Sequence, residues 1–272
     1  MNPKYFPSEL AFYTKKRNIG RETSETREAR EIKRYNEEEL KICAKILKIP
    51  MYFLFFSPIK KYSFLNAPEK YILVYREDLL PFYDFFEKCT EKERKMRILA
   101  SYRHLIRGCQ LLNHHGIVYE NYEKIGFNRQ NQPILFDFER NKASLQYLPL
   151  EAHVISFIKN NDVVSLSKSN IEQICENFLK MYIFNHAKPT LRECMSLFVH
   201  LINQPKLVII NEMEKYKNTW NYYGISYLYL ELLNQVEMPV FFVDILFECI
   251  HVDFNSRCKN VLHRLELGDG DV

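Results

Sequence analysis

Glycine is scarce in this chain: there are seven among 272 residues, and Gly20 alone precedes Gly108. A loop that brings backbone N–H groups up to phosphates needs residues without a Cβ. No Gly-x-Gly-x-x-Gly is present, so a glycine-rich phosphate loop is excluded. The seven cysteines are odd in number and form no Cys-x-x-Cys pair. With no leader pattern at the N-terminus, they read as reduced, mostly buried thiols of an intracellular protein. His153, His186, His200, His251 and His263 show no metal-ligand spacing with cysteine, so no zinc site is expected. The apolar run Met51–Phe56 is far too short to span a bilayer, and no membrane segment is expected. An excess of one charge is also missing: 38 basic residues face 34 acidic ones, a net +4. That balance argues against nucleic acid, and the basic stretch Lys15–Arg17 has no recognition motif around it.

What is present is an ordinary globular composition, 47% apolar and 26% charged, long enough to bury a core without staples. Leu10–Thr14 is a strand candidate. Residues 21–48 read as one long charged helix, with Arg27/Glu31 and Glu37/Lys41 one turn apart, an apolar stripe including Ile32, Tyr35 and Leu40, and Pro50 as its stop. Met51–Phe56 and Tyr71–Tyr75 are rich in aromatic and β-branched residues and read as strands. From Phe82 onward helical period dominates, which makes Tyr75–Pro81 a hinge candidate. Helices are predicted at Lys92–Asn113, Asn170–Phe184, Thr190–Asn203, Asn218–Leu233, Val240–Ile250 and Ser256–Leu265. A hairpin is predicted from Lys124–Phe127 and Pro133–Phe136 around the polar turn Asn128–Gln132.

The segment Leu111–Arg140 reads LLNHHGIVYENYEKIGFNRQNQPILFDFER. It resembles the protein-kinase core in the order of its parts. His114 or His115 and Gly116-Ile117-Val118 match the run before the catalytic loop. A hairpin follows, and Asp137-Phe138-Glu139 stands where Asp-Phe-Gly belongs. Pro149-Leu150-Glu151 resembles the Pro-Pro-Glu motif, Asp253-Phe254-Asn255-Ser256-Arg257 the Asp-Pro-x-x-Arg motif, and Trp220-Asn221-Tyr222 the start of the central helix. The pattern is most similar to kinase-like proteins of large DNA viruses, which carry a long helical insert before a Thr-Trp-Asp-Asn-Tyr run; here Thr219-Trp220-Asn221-Tyr222-Tyr223 follows such an insert.

The resemblance implies an α+β, protein-kinase-like two-lobed fold. Residues 1–75 would form a reduced N-terminal lobe with short strands and a long helix. Residues 76–272 would form a helical C-terminal lobe with an insert at about 160–215. It also implies a buried structural ion pair between Glu151 and Arg257, a host-cytoplasm or virion location, and a protein partner.

Phosphoryl transfer needs a base, metal ligands, a lysine on the phosphates and a covering loop. In the catalytic loop His-Arg-Asp has become Tyr119-Glu120-Asn121. The amide of Asn121 cannot serve as a base near neutral pH, and Glu120 would repel a phosphorylated loop. The magnesium-binding Asn has no match, since Lys124 or Gly126 falls near its place. Asp137 is kept as one metal carboxylate, and Lys15 or Lys16, paired with Glu37, Glu38 or Glu39, can stand in for the nucleotide-binding lysine. The expectation is therefore an inactive kinase-like protein, a pseudokinase acting as a scaffold, regulator or binding partner. The alternative is an active Ser/Thr kinase that uses ATP and Mg²⁺, with Glu120 or Glu123 as base.

Overall fold

The computed structural model describes residues 32–34, 37–56, 60–64, 67–74, 79–87, 89–136, 138, 144–233 and 236–268. It is a mixed α+β structure, mostly helical. Strands β1 (Ile32–Arg34), β2 (Lys60–Phe64) and β3 (Ala67–Val74) form an antiparallel sheet in the order β1-β3-β2. Helix α1 (Glu37–Ile46) lies between β1 and β2 in the chain. A second antiparallel sheet joins β4 (Leu80–Pro81), β5 (Ile125–Phe127) and β6 (Pro133–Leu135) in that order. The remaining elements are helical: α2 (Phe82–Glu87), α3 (Glu91–His114), α4 (Leu150–Asn161), α5 (Lys168–Met181), α6 (Leu191–Ser196), α7 (Lys206–Glu214), α8 (Trp220–Leu233), α9 (Val240–Cys249) and α10 (Val261–Leu267).

Local chemistry accounts for many of the boundaries. A reciprocal capping box opens α3 between Thr90 and Glu93, another opens α5 between Ser167 and Asn170, and a third opens α6 between Thr190 and Glu193. Each satisfies N–H groups that a helix start otherwise leaves unpaired. Pro149, Pro205 and Pro239 stand at the N-caps of α4, α7 and α9 in extended backbone, where a missing N–H costs nothing. Helix α3 ends at Gly116, whose φ of +64° turns the chain so that Ile117 N–H reaches back to the Leu112 carbonyl. That left-handed turn is open to glycine at no steric cost.

The core is built around α8. Every residue of α8 except Glu231 and Leu233 is buried, as expected of a helix that is apolar on all sides. Its polar atoms are satisfied by neighbouring helices. Tyr229 Oη donates to Ser101 Oγ at 2.7 Å, Tyr102 Oη and Ser226 Oγ share a hydrogen bond of 2.8 Å, and Tyr227 Oη donates to the Met181 carbonyl. On α3 the buried face is Ile98, Ser101, Tyr102, Leu105, Ile106, Gly108, Cys109 and Leu112, spaced as one side of a helix. Six of the seven cysteines are buried and Cys258 is half-buried, all as free thiols. Among the described residues no helix is long and apolar enough to cross a membrane.

Four expected elements are corrected. The helix over 21–48 does not run unbroken: Ile32–Arg34 is β1, paired in register with Val74, Leu73 and Ile72, and the helix in the described part of that span is α1, Glu37–Ile46. Pairs of charges one turn apart contribute a few tenths of a kcal/mol each, too little to outweigh a strand partner distant in sequence. Met51–Phe56 is not a strand but a 3-10 turn over Tyr52–Leu54, entered through Met51 at φ 55° and ending in a single bridge from Phe56 to Leu135. Its rings anchor the turn: Phe56 is fully buried, and Phe55 packs on His104, whose Nε2 is 2.8 Å from the Leu54 carbonyl oxygen. The helix expected over Thr190–Asn203 breaks after Ser196, where Phe198 turns inward and Val199 outward. The helix expected from Ser256 starts at Val261 instead, because residues 253–256 form a turn on the Asp253 carboxylate and Arg257 is drawn into the core. The candidate strand Leu10–Thr14 lies outside the described residues.

One buried histidine makes the fold pH-sensitive. His153 on α4 sits with Nε2 at 2.9 Å from the Leu145 carbonyl oxygen and 3.1 Å from that of Leu148. Burial pushes its imidazole down to about 4, against those two hydrogen bonds, which act the other way. The unfolded chain takes up this proton below about 6.5 and the folded one only near 4. Stability is therefore undiminished above pH 6.5 and falls as pH drops toward 4, by about 3 kcal/mol for this one group. Urea unfolding across that window should show a steeper loss for the wild type than for His153→Gln; parallel curves would contradict the assignment.

Candidate functional site

The segment that follows α3 is held from below by one amide. Asn221, in the first turn of α8, is fully buried. Its Nδ2 donates to Asn113 Oδ1 at 2.7 Å and to the Ile117 carbonyl at 2.8 Å, and its Oδ1 accepts from Tyr119 N–H at 2.7 Å. Asn113 in turn donates to the Asn218 carbonyl. The end of α3, the extended run after Gly116 and the start of α8 are thus fixed to one another. Asn221 stood in a recognisable motif, but nothing in the sequence alone marked Asn113 as its partner.

Above that clamp the loop is filled by aromatic rings. Tyr119 is buried, donates its hydroxyl to the Phe136 carbonyl at 2.7 Å, and meets Tyr122 and Phe138 edge-on at 5.3 and 5.2 Å. Tyr122 is buried as well, its hydroxyl directed to the Trp220 carbonyl at 3.3 Å. It lies so close to α8 that a Cβ on Gly224 would sit 2.0 Å from its ring, so this position needs glycine for the close approach.

Asn121 precedes a 3-10 turn over Tyr122–Lys124, is 7% exposed, and accepts from Lys124 N–H through its carbonyl at 2.8 Å. Glu120 is half-buried, whereas Glu123 and Lys124 are exposed. Gly126 lies inside β5, where an added Cβ would meet Leu79 at 2.7 Å and the Leu80 carbonyl oxygen at 3.1 Å. Neither Lys124 nor Gly126 offers a metal ligand. Among the described residues no group of three or more His, Cys, Asp and Glu side chains is placed to hold a metal. Lys15, Lys16 and Asp137 lie outside the described residues; Glu38 is in α1, and its side chain lies outside them too.

Glu151 and Arg257 meet. Both side chains are fully buried. Arg257 Nη2 donates to Glu151 Oε2 at 2.9 Å and Nη1 donates to Oε1, a two-pronged pair. The remaining donors are used too: Nε bonds the His251 carbonyl at 2.8 Å, and Nη1 also reaches Thr219 Oγ1. Trp220 Nε1 donates to Glu151 Oε1 at 2.9 Å, and the guanidinium lies over the Tyr223 ring at 5.2 Å. The pair thereby ties the start of α4, the start of α8 and the loop after α9 together.

A second polar cluster, partly open to solvent, was not anticipated. Glu231, the only charged residue in α8, accepts from Tyr83 Oη at 2.5 Å, Gln146 Nε2 at 2.6 Å and Tyr147 Oη at 3.1 Å. Burial raises its carboxyl pKa against the lowering effect of those bonds, and burial pushes the Tyr83 hydroxyl far above its ordinary range. A single acid in an otherwise apolar helix was the signal available in the sequence.

No protein-family model and no curated protein matches this chain. Its functional reading therefore rests on the geometry and on the order of its motifs.

Removing one partner of a buried, two-pronged pair strands a charge, a loss of roughly 3–5 kcal/mol. E151A and R257A should each lower Tm by several degrees or more. The double variant should lose less than the sum of the two. Melting curves identical to wild type for both single variants would contradict the role assigned to the pair.

Proposed function

We propose that this chain is a two-lobed, kinase-like protein that no longer transfers phosphate and acts by binding another protein, as a scaffold or regulator. The observation that carries the reading is the state of the loop between α3 and β5. The place of a catalytic aspartate is taken by Asn121, buried and engaged through its backbone in the turn over Tyr122–Lys124. The place of a magnesium-binding asparagine falls on exposed Lys124 or on Gly126, whose surroundings leave no room for a side chain. Tyr119 and Tyr122 occupy the interior instead.

The motif order from Gly116 to Arg257, the clamp from the first turn of α8 and the buried Glu151–Arg257 pair support kinship in architecture. The losses fall on groups that do chemistry. Proton transfer by a positioned base contributes about 10²–10⁴-fold in rate, and without metal ligands the phosphate charge goes unneutralised. A kinase with Glu120 or Glu123 as base and Asp137 on Mg²⁺ is the rival reading. It rests on the two carboxylates that flank Asn121, since positioning and electrostatics alone can supply part of a rate.

Purified full-length protein incubated with labelled ATP and Mg²⁺ should transfer no label to itself or to general protein substrates. Its Tm should not rise with ATP in a Mg²⁺-dependent manner, whereas a ligand at 100 times its Kd would add about 2.7 kcal/mol. Robust transfer abolished by Asp137→Ala would overturn the proposal in favour of the rival.

A further inference from the structure

The chain from Leu40 to Pro68 contains five lysines and no acidic residue, although the protein as a whole balances its charges. Part of that run forms a ridge. Helix α1 ends at Ile46, and tight turns follow it. Lys48 N–H bonds the Lys45 carbonyl at 3.0 Å, Tyr52 N–H the Ile49 carbonyl at 3.2 Å, and Leu54 N–H the Met51 carbonyl at 3.0 Å. Residues three apart in such turns fall on one side. Ile46, Ile49 and Phe56 are buried, whereas Lys45, Lys48, Met51 and Phe53 are exposed.

Two large apolar side chains thus stand in water beside two cations. Met51 is 49% exposed and Phe53 41%. Met51 also holds φ at 55°, a left-handed conformation that a residue with a Cβ adopts at a cost. The ridge is braced on α3. His104 Nε2 lies 2.8 Å from the Leu54 carbonyl oxygen, and the Phe55 ring packs on the His104 ring at 4.7 Å. Arg107, one turn further along α3, is exposed and adds a cation at the flank. Among the described residues Lys45, Lys48 and Arg107 have no carboxylate partner.

We propose that this ridge docks an acidic segment of a partner protein that also carries apolar side chains. The inference rests on the reading of the chain as a protein-binding domain, and it supplies the place and the chemistry of the contact. Met and Phe are enriched at the centre of protein interfaces, inside a polar rim. A rim of one sign selects a partner of the other and speeds its approach. Leu207 and Val208 on α7 offer a contrast. They are exposed as well, but their neighbour Lys206 is paired with Asp162 at 3.2 Å, so no single sign of charge marks that face. A bilayer calls for a broader apolar face than two side chains provide, and the chain has no nucleic-acid recognition motif. An acidic protein segment fits the ridge best.

The test is fluorescence anisotropy on the intact chain, with a labelled peptide in which glutamates flank leucine and phenylalanine. One control peptide carries lysine for glutamate, and another carries serine for the apolar residues. The acidic apolar peptide should bind better than either control, and more weakly at about 500 mM salt than at about 50 mM. The variants K45E/K48E and M51S/F53S should each weaken it roughly tenfold or more, while K180E, on the exposed side of α5, should bind like wild type. On the wild-type chain, bound peptide should protect Lys45 and Lys48 from acetylation mapped by mass spectrometry, which decides the matter even if a variant fails to fold. No binding of the acidic peptide would overturn the proposal. So would binding that neither double variant weakens, or preferential binding of vesicles of equal parts phosphatidylserine and phosphatidylcholine, or of oligothymidylate. Those outcomes leave the loss of phosphate transfer standing, since that is read by the labelled-ATP assay alone.

Discussion

The buried pair of Glu151 and Arg257 is the constraint on which the arrangement of this protein depends. Two charges taken out of water cost several kcal/mol each, and mutual attraction repays this only when the geometry is good and the leftover donors are used. Here the guanidinium is bonded on Nε, Nη1 and Nη2, and the carboxylate also takes the Trp220 indole. Glu151 sits in the first turn of α4, where the helix dipole favours a negative charge. None of these groups can move independently without leaving a buried charge exposed to an apolar interior. The pair specifies which end of α4 faces the start of α8 and where the loop after α9 must pass.

The neighbouring amide network extends that frame toward the loop after α3. Asn221 follows Trp220 in α8, so one helical turn serves both the ion pair and the clamp on Asn113, Ile117 and Tyr119. Above the clamp, the interior is occupied by Tyr119 and Tyr122, with hydroxyls directed to backbone carbonyls. The result is a loop packed around two buried tyrosines.

Some of this was legible in the chain itself. The helices over Lys92–Asn113, Asn218–Leu233 and Val240–Ile250 and the hairpin around Asn128–Gln132 are local signals carried by a few residues each. The spaced motifs around Glu151 and Arg257 pointed to a pairing across more than half of the C-terminal region. Other features were not legible. A run such as Met51–Phe56 has no period that separates strand from turn, and only the seating of Phe55 on α3 and Phe56 beside β6 decides it.

The sequence by itself determined that helix dominates after Phe82 and that a hairpin follows α3 around Asn128–Gln132. These follow from residue identity and short-range backbone chemistry. Only the tertiary structure decided that Ile32–Arg34 joins a sheet instead of a helix, that Gly224 admits the Tyr122 ring, and that Glu231 is shared by two tyrosines and a glutamine. The physical reason is the same in each case. The energy that settles the outcome lies in a contact between residues far apart in the chain, where no local propensity can register it.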